Sequence, residues 1–238
     1  TGIYDYKVPF IFSNCNGTSG DVDVLTHEFG HSFQAYMANR IKIPEYRSPT
    51  MESCEIHSMS MEFFAYPWME DFFGKDQVDK YKFSHMCGAL CFLPYGVAID
   101  EFQTYIYENP NMTPKERRAK WREIEIKYLP HIKYGSNKFL NDGGRFIRQS
   151  HVFTSPLYYI DYTIAQVCAF EFFNFANENR EDAWNRYVNL CNLGGSDTFL
   201  NLLKNKNVRL VSPFKQGCIK KTIKPIKAFL DSFDDAKM

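Results

Sequence analysis

The sequence predicts a mainly α-helical chain with one short edge β-strand near its N-terminus. Two observations carry this reading: long segments place apolar residues three and four positions apart, and alternation is confined to the first residues. With 238 residues, 45% of them hydrophobic, the chain can bury a sizeable core. Lys and Arg total 28, as do Asp and Glu, so net charge gives no chain-wide attraction to nucleic acid or to an anionic membrane surface. The apolar stretches 88–99 and 160–175 are interrupted by Pro94, Asp161, Gln166 and Glu171. They fall short of the roughly 18–20 residues that a membrane-spanning helix needs. Seven cysteines without C-x-x-C spacing read as reduced thiols and place the chain in the cytoplasm.

In chain order, residues 8–13 (Val-Pro-Phe-Ile-Phe-Ser) read as the strand, and 14–20 as a loop rich in Asn, Gly, Thr and Ser. The chain opens at Thr1 and enters this strand almost at once, which reads as a fragment of a longer chain lacking its N-terminal half. A first helix is expected over 21–40, with Asp21 and Asp23 at the positive end of its dipole. Residues 41–50 hold Pro44 and Pro49 and form a connection, and a second helix over 51–73 carries Glu52, Glu55, His57 and Glu62. Further helices are expected over 76–108 with a break at Pro94, over 114–129 behind the N-cap Thr113, and over 156–177, 181–193 and 196–205. A last helical piece follows Pro213. The segment 134–144, with Gly135, Gly143 and Gly144, reads as a flexible connection, and no composition shift marks a domain split.

The informative motif is His27-Glu28-Phe29-Gly30-His31. Residues four apart on a helix share a face, so both imidazoles can address one ion while Glu28 stands beside a metal-bound water. Asp23, one turn before His27, is placed to accept the hydrogen bond of that ring's second nitrogen. A catalytic zinc needs a third protein ligand and an open position. Gln34 and Arg40 occupy the region where a third histidine would follow at short spacing, which turns attention to Glu52, Glu55 and Glu62. Spacing permits any of them. The remaining helical histidines, His57 and His85, read as ordinary helix residues.

The motif, the run Glu55-Ile56-His57-Ser58-Met59-Ser60-Met61-Glu62-Phe63-Phe64 and the upstream Pro9–Ser13 and Asn16–Val22 segments together resemble the oligoendopeptidase F branch of the thimet oligopeptidase family of zinc metallopeptidases. The resemblance implies a zincin-like helical catalytic domain over 1–238, one zinc per chain, Glu55 as the third ligand beside His27 and His31, and short oligopeptides as substrates. It also implies that a downstream His and tyrosines stabilise the oxyanion. His151 and the run Tyr158-Tyr159-Ile160-Asp161-Tyr162 are similar to that segment, with Tyr159 and Tyr162 as the matching tyrosines.

The expected chemistry is hydrolysis of a peptide bond by a zinc-activated water, with Glu28 as general base and then as proton donor to the leaving amine. The strand at 10–13 is expected to pair with an extended substrate backbone. A zinc exopeptidase and a non-catalytic helical peptide-binding module remain the alternative functions. The presence of Glu28 weighs against the module.

Overall fold

The computed structural model describes residues 2–234. They divide into two compact units, one built from residues up to Cys87 together with those from Ile164 onward, the other from Gly88–Thr163. In the first unit, β1 (Gly2–Ile3) and β2 (Val8–Pro9) form an antiparallel pair with Gly2 opposite Pro9 and Ile3 opposite Val8. The strand expected over 8–13 is therefore shorter than its composition predicts. Pro9 has no N–H to donate to a ladder, and residues 10–16 run on without regular structure.

Eleven α-helices follow among the described residues. They are α1 (Ser19–Ala38), α2 (Met51–Phe64), α3 (Met69–Phe73), α4 (Val78–Glu108), α5 (Pro114–Tyr128), α6 (Lys138–Asn141), α7 (His151–Thr154), α8 (Tyr159–Glu178), α9 (Arg180–Leu193), α10 (Phe199–Lys204) and α11 (Cys218–Leu230). The single helix expected over 51–73 is broken by a 3-10 turn at Tyr66–Trp68. Pro67 lies in that turn, and it withholds an N–H and disfavours helical geometry before it. Pro94 does the opposite of what was expected, because α4 runs through it unbroken. The cost of an interior proline, about 3 kcal/mol, is outweighed there by burial of Tyr95, Ala98, Ile99 and Phe102 on the following turns. The connection expected over 134–144 contains the short α6. The division between units falls inside α4 and α8, so no linker composition marks it.

In the first unit α1 packs along α2, and α9 packs against both. Every residue of α2 from Glu55 to Met61 is buried. Phe64 contacts Trp184 and Tyr187 at ring-centroid distances of 5.3 and 5.1 Å, and Phe63 contacts Phe170 and Phe173 at 5.7 and 5.5 Å. A fully buried side chain of this size contributes about 1.5–3 kcal/mol, so α2 is held rigidly at several points. Arg180 donates to the Phe64 carbonyl at 2.6 Å, satisfying an otherwise open C-terminal acceptor of α2. The Tyr187 hydroxyl donates to the His57 carbonyl at 2.9 Å. His57, an ordinary helix residue by sequence, is buried in the core: burial, with a contribution from the charge of His31, lowers its pKa to about 3.

In the second unit Phe102, Trp121, Ile124 and Phe146 form the centre of an apolar cluster. The α5 N-terminus is closed by a reciprocal Thr113–Glu116 capping box. Glu125, fully buried, accepts from Arg122 at 2.8 Å, from Arg145 at 3.3 Å and from the Tyr134 hydroxyl. Gly143 takes φ +89°, and a Cβ there would stand 1.9 Å from the Arg118 carbonyl oxygen, so only glycine fits at this turn.

Candidate metal centre

His27 and His31 project from the same face of α1, one turn apart, and their rings meet edge to face at 5.1 Å. Glu55 reaches them from α2. Its Oε2 lies 3.2 Å from His27 Nε2 and 3.3 Å from His31 Nε2, and one donor atom from each residue lies within 4.8 Å of the other two. Metal–ligand bonds of about 2.0–2.2 Å in tetrahedral geometry place neighbouring donors about 3.3–3.6 Å apart. The two carboxylate–imidazole edges are close to that spacing, and two imidazoles with a carboxylate are a donor set suited to zinc. The imidazole side chains keep 23% and 22% exposure while that of Glu55 keeps 4%, so the cluster is open to solvent on its histidine side. Of the other glutamates considered, Glu52 is exposed and Glu62 stands behind His27.

Helix α2 supplies the outer partners of all three residues. Glu62 Oε1 lies 2.6 Å from His27 Nδ1, Ser58 Oγ donates to Glu55 Oε2 at 2.8 Å, and Cys54 Sγ lies 3.8 Å from His31 Nδ1. Positions 54, 58 and 62 are spaced by four and share a helix face. The expectation that Asp23 anchors His27 is corrected here. Asp23 Oδ1 accepts instead from the Tyr81 hydroxyl at 2.7 Å, because the carboxylate behind His27 comes from α2 and not from the preceding turn of α1.

The electrostatics follow from this packing. Burial alone lowers the pKa of His27, but hydrogen bonds and charge from Glu55 and Glu62 override it and raise the value to about 10. At His31 burial is likewise overridden, by Cys54 and Glu55, and the value rises to about 9. Burial pushes Glu55 and Glu62 up, yet their histidine partners lower both, holding Glu55 well below the usual carboxylate range. Glu28 is partly buried, and among the described residues its carboxylate enters no hydrogen bond or ion pair. An apolar groove of about 770 Å³, lined by Leu25, Phe29, Trp68, Phe72 and Trp184 among others, includes none of the three clustered residues.

Within the second unit a separate cluster brings His151, Tyr159 and Tyr162 together. The rings of Tyr159 and Tyr162 lie 5.2 and 5.5 Å from that of His151, and the Tyr162 hydroxyl is 3.4 Å from His151 Nε2. Gln149 is the hub: its amide nitrogen lies 2.7 Å from His151 Nδ1, and its Oε1 accepts from the hydroxyls of Tyr95 at 3.1 Å and Tyr159 at 3.3 Å. Burial raises the Tyr159 pKa well above its ordinary value. Sequence reasoning missed Glu62, Ser58 and Cys54 as outer partners, although the four-residue spacing was available as a signal. It also missed Gln149, for which no local pattern exists.

The sequence profile of Peptidase family M3 matches residues 1–217. The chain belongs to peptidase family M3. It is 54% identical over 99% of its length to a solved structure of PZ peptidase A with inhibitor 2, with a TM-score of 0.94. A structure provisionally assigned as oligoendopeptidase F is 56% identical over 100% of the chain, with a TM-score of 0.95. A third, from Bacillus anthracis str. Ames with the same provisional assignment, is 53% identical over 100%, with a TM-score of 0.86. These likenesses put this M3 chain in the oligoendopeptidase F branch with a mainly α, zincin-like fold. The chain spans 41%, 42% and 39% of the lengths of these three structures. The comparison with curated proteins gives no match. No helix among the described residues is long and apolar enough to cross a membrane.

Proposed function

We propose that this M3 chain is the catalytic portion of a zinc endopeptidase that cleaves short oligopeptides, holding one zinc through His27, His31 and Glu55. The carrying observation is the convergence of two imidazole nitrogens on one carboxylate oxygen at 3.2 and 3.3 Å, with the imidazoles open to solvent. Zinc bound there supplies a Lewis acid that polarises a carbonyl and makes water nucleophilic near neutral pH. Glu28 accepts the proton of the attacking water and delivers it to the departing amine. Its adjacency to His27 in sequence and its lack of a competing partner among the described residues support this role.

His151, Tyr159 and Tyr162 are assigned to the oxygen that gains charge as the carbonyl is attacked. The support is the resemblance of this segment to the family's, together with the meeting of an imidazole and a hydroxyl at 3.4 Å. Tyr159, buried and donating to Gln149, also steadies the Gln149 amide against His151. Oligopeptide substrates are drawn from the name oligoendopeptidase carried by similar structures. Among the described residues the seven cysteines form no disulfide, and from this cysteine usage we assign the protein to the cytoplasm.

The test is zinc content by elemental analysis of the full-length protein, coupled to cleavage of a quenched fluorescent oligopeptide before and after chelation. One zinc per chain, with cleavage internal to the peptide and lost on chelation, is the expected result. A protein that cleaves equally well after its metal is removed refutes the reading.

A further inference from the structure

The carboxylate behind His27 is itself held from behind. Glu62 Oε2 lies 2.9 Å from His85 Nε2, and His85 Nδ1 lies 2.7 Å from the Tyr66 hydroxyl. A carboxylate only accepts, so His85 donates through Nε2 and its Nδ1 is left to accept from Tyr66. Each oxygen of Glu62 therefore serves one histidine: Oε1 holds His27, and Oε2 is tethered by His85. The side chains of Glu62 and His85 keep only 13% and 9% exposure, so bulk water does not readily replace the tether. The His85 ring is fixed by its neighbours, lying 5.7 Å from Tyr81 in a stacked arrangement and 5.4 Å from Phe63 edge-on.

We infer that His85, held by Tyr66, is a positioning residue for the metal centre, aiming Glu62 so that Glu62 aims the His27 ring. The inference rests on the zinc reading proposed above and extends it two residues outward. His85 touches no proposed ligand of the metal. Without the His85 donor, Glu62 keeps one oxygen unpaired in a largely buried site and gains freedom to swing about its side-chain torsions. The Nδ1 hydrogen bond of His27 is then no longer directed, and the ring loses the orientation that presents Nε2. Outer partners of metal-bound histidines typically change metal affinity 10–100-fold when removed. For a residue acting through Glu62 the lower end of that range is expected, about tenfold.

The experiment measures the zinc dissociation constant of the full-length protein by competition with a chromophoric chelator. His85→Phe keeps the ring packing and removes the donor, His85→Gln returns an amide donor, and Tyr66→Phe removes only the hydroxyl. The expected result is a loss in affinity of about tenfold for His85→Phe, substantial recovery in His85→Gln, and a smaller loss in Tyr66→Phe. Wild-type affinity in a folded His85→Phe protein, judged by its thermal unfolding, overturns the inference. So does a loss that His85→Gln leaves uncorrected. If His85→Phe does not fold, Tyr66→Phe decides, and an unchanged dissociation constant there is equally fatal. A wild-type protein that binds no zinc refutes the zinc reading itself, an outcome distinct from wild-type binding that the variants leave unaltered.

Discussion

Gly30 lies directly against the backbone of His57. A Cβ on Gly30 would stand 2.5 Å from the His57 carbonyl oxygen and 2.6 Å from Ser58 Cα, both backbone atoms with little room to yield. The glycine between the two motif histidines is thus what lets α1 approach α2 closely enough for Glu55 to reach them. Gly30→Ala is expected to destabilise the fold by about 1–3 kcal/mol through overpacking, in spite of alanine's better helix propensity. It also separates Glu55 from the histidines. Urea unfolding gives the first effect and zinc stoichiometry the second, and a variant that gains stability would contradict this account.

Glu28 and Glu55 should separate binding from chemistry. Glu28→Gln removes the proton acceptor and leaves all three proposed ligands in place, so zinc content should stay near one per chain while kcat falls about 10²–10⁴-fold. Glu55→Ala removes a ligand and should release zinc together with activity. Stoichiometric, tightly held zinc in Glu55→Ala would mean that a different carboxylate completes the site.

Much of this site was legible because its parts lie on two helices with short internal spacings. His27, Glu28 and His31 follow from the period of one helix. Glu52, Glu55 and Glu62 could not be ranked by spacing alone, and only the resemblance to the M3 family singled out Glu55. The partner of His27 was misplaced because a near neighbour, Asp23, was available in sequence, whereas Glu62 arrives through the α1–α2 packing that Gly30 permits. His85 looked ordinary for the same reason: it lies on α4, and its meeting with Glu62 is tertiary. The helix break at Tyr66–Trp68 and the continuity through Pro94 show the same limit. One proline sits where packing accepts a turn and the other where burial on the following turns carries the helix past it.

His151 is expected to act on the transition state more than on substrate binding. In His151→Phe, kcat should fall about 10²–10³-fold, as for loss of one oxyanion donor, with KM changed far less. Gln149→Ala should follow it in direction with a smaller loss, since it leaves the imidazole present and only undirected. Steady-state kinetics on an oligopeptide substrate reads both, and a change confined to KM would return His151 to a binding or packing role.

Zinc binding should release an unusual number of protons. In metal-stripped protein the pKa of His27 is raised to about 10 and that of His31 to about 9, so both rings are protonated at pH 7. A metal takes imidazole only in its neutral form. Binding at pH 7 should therefore displace close to two protons, where two histidines of ordinary pKa would give about 0.5. Calorimetry in buffers of different ionisation enthalpy counts them directly. The same shifts set the stability of the stripped protein. The contribution of the raised histidines is fully present below their ordinary 6.5 and is lost as pH climbs through about 9 and then about 10. That of Glu55 and Glu62, whose pKa values are lowered, is present above the ordinary 4.5 and is lost as pH falls below it. Metal-stripped protein should hence be most stable between about pH 4.5 and 6.5 and soften progressively above pH 6.5, the loss being complete by about pH 10. The zinc-loaded protein, its imidazoles already deprotonated, should show no such alkaline loss from these rings. Release of about 0.5 protons at pH 7 would show that Glu55 and Glu62 do not hold the metal-stripped histidines in their charged form.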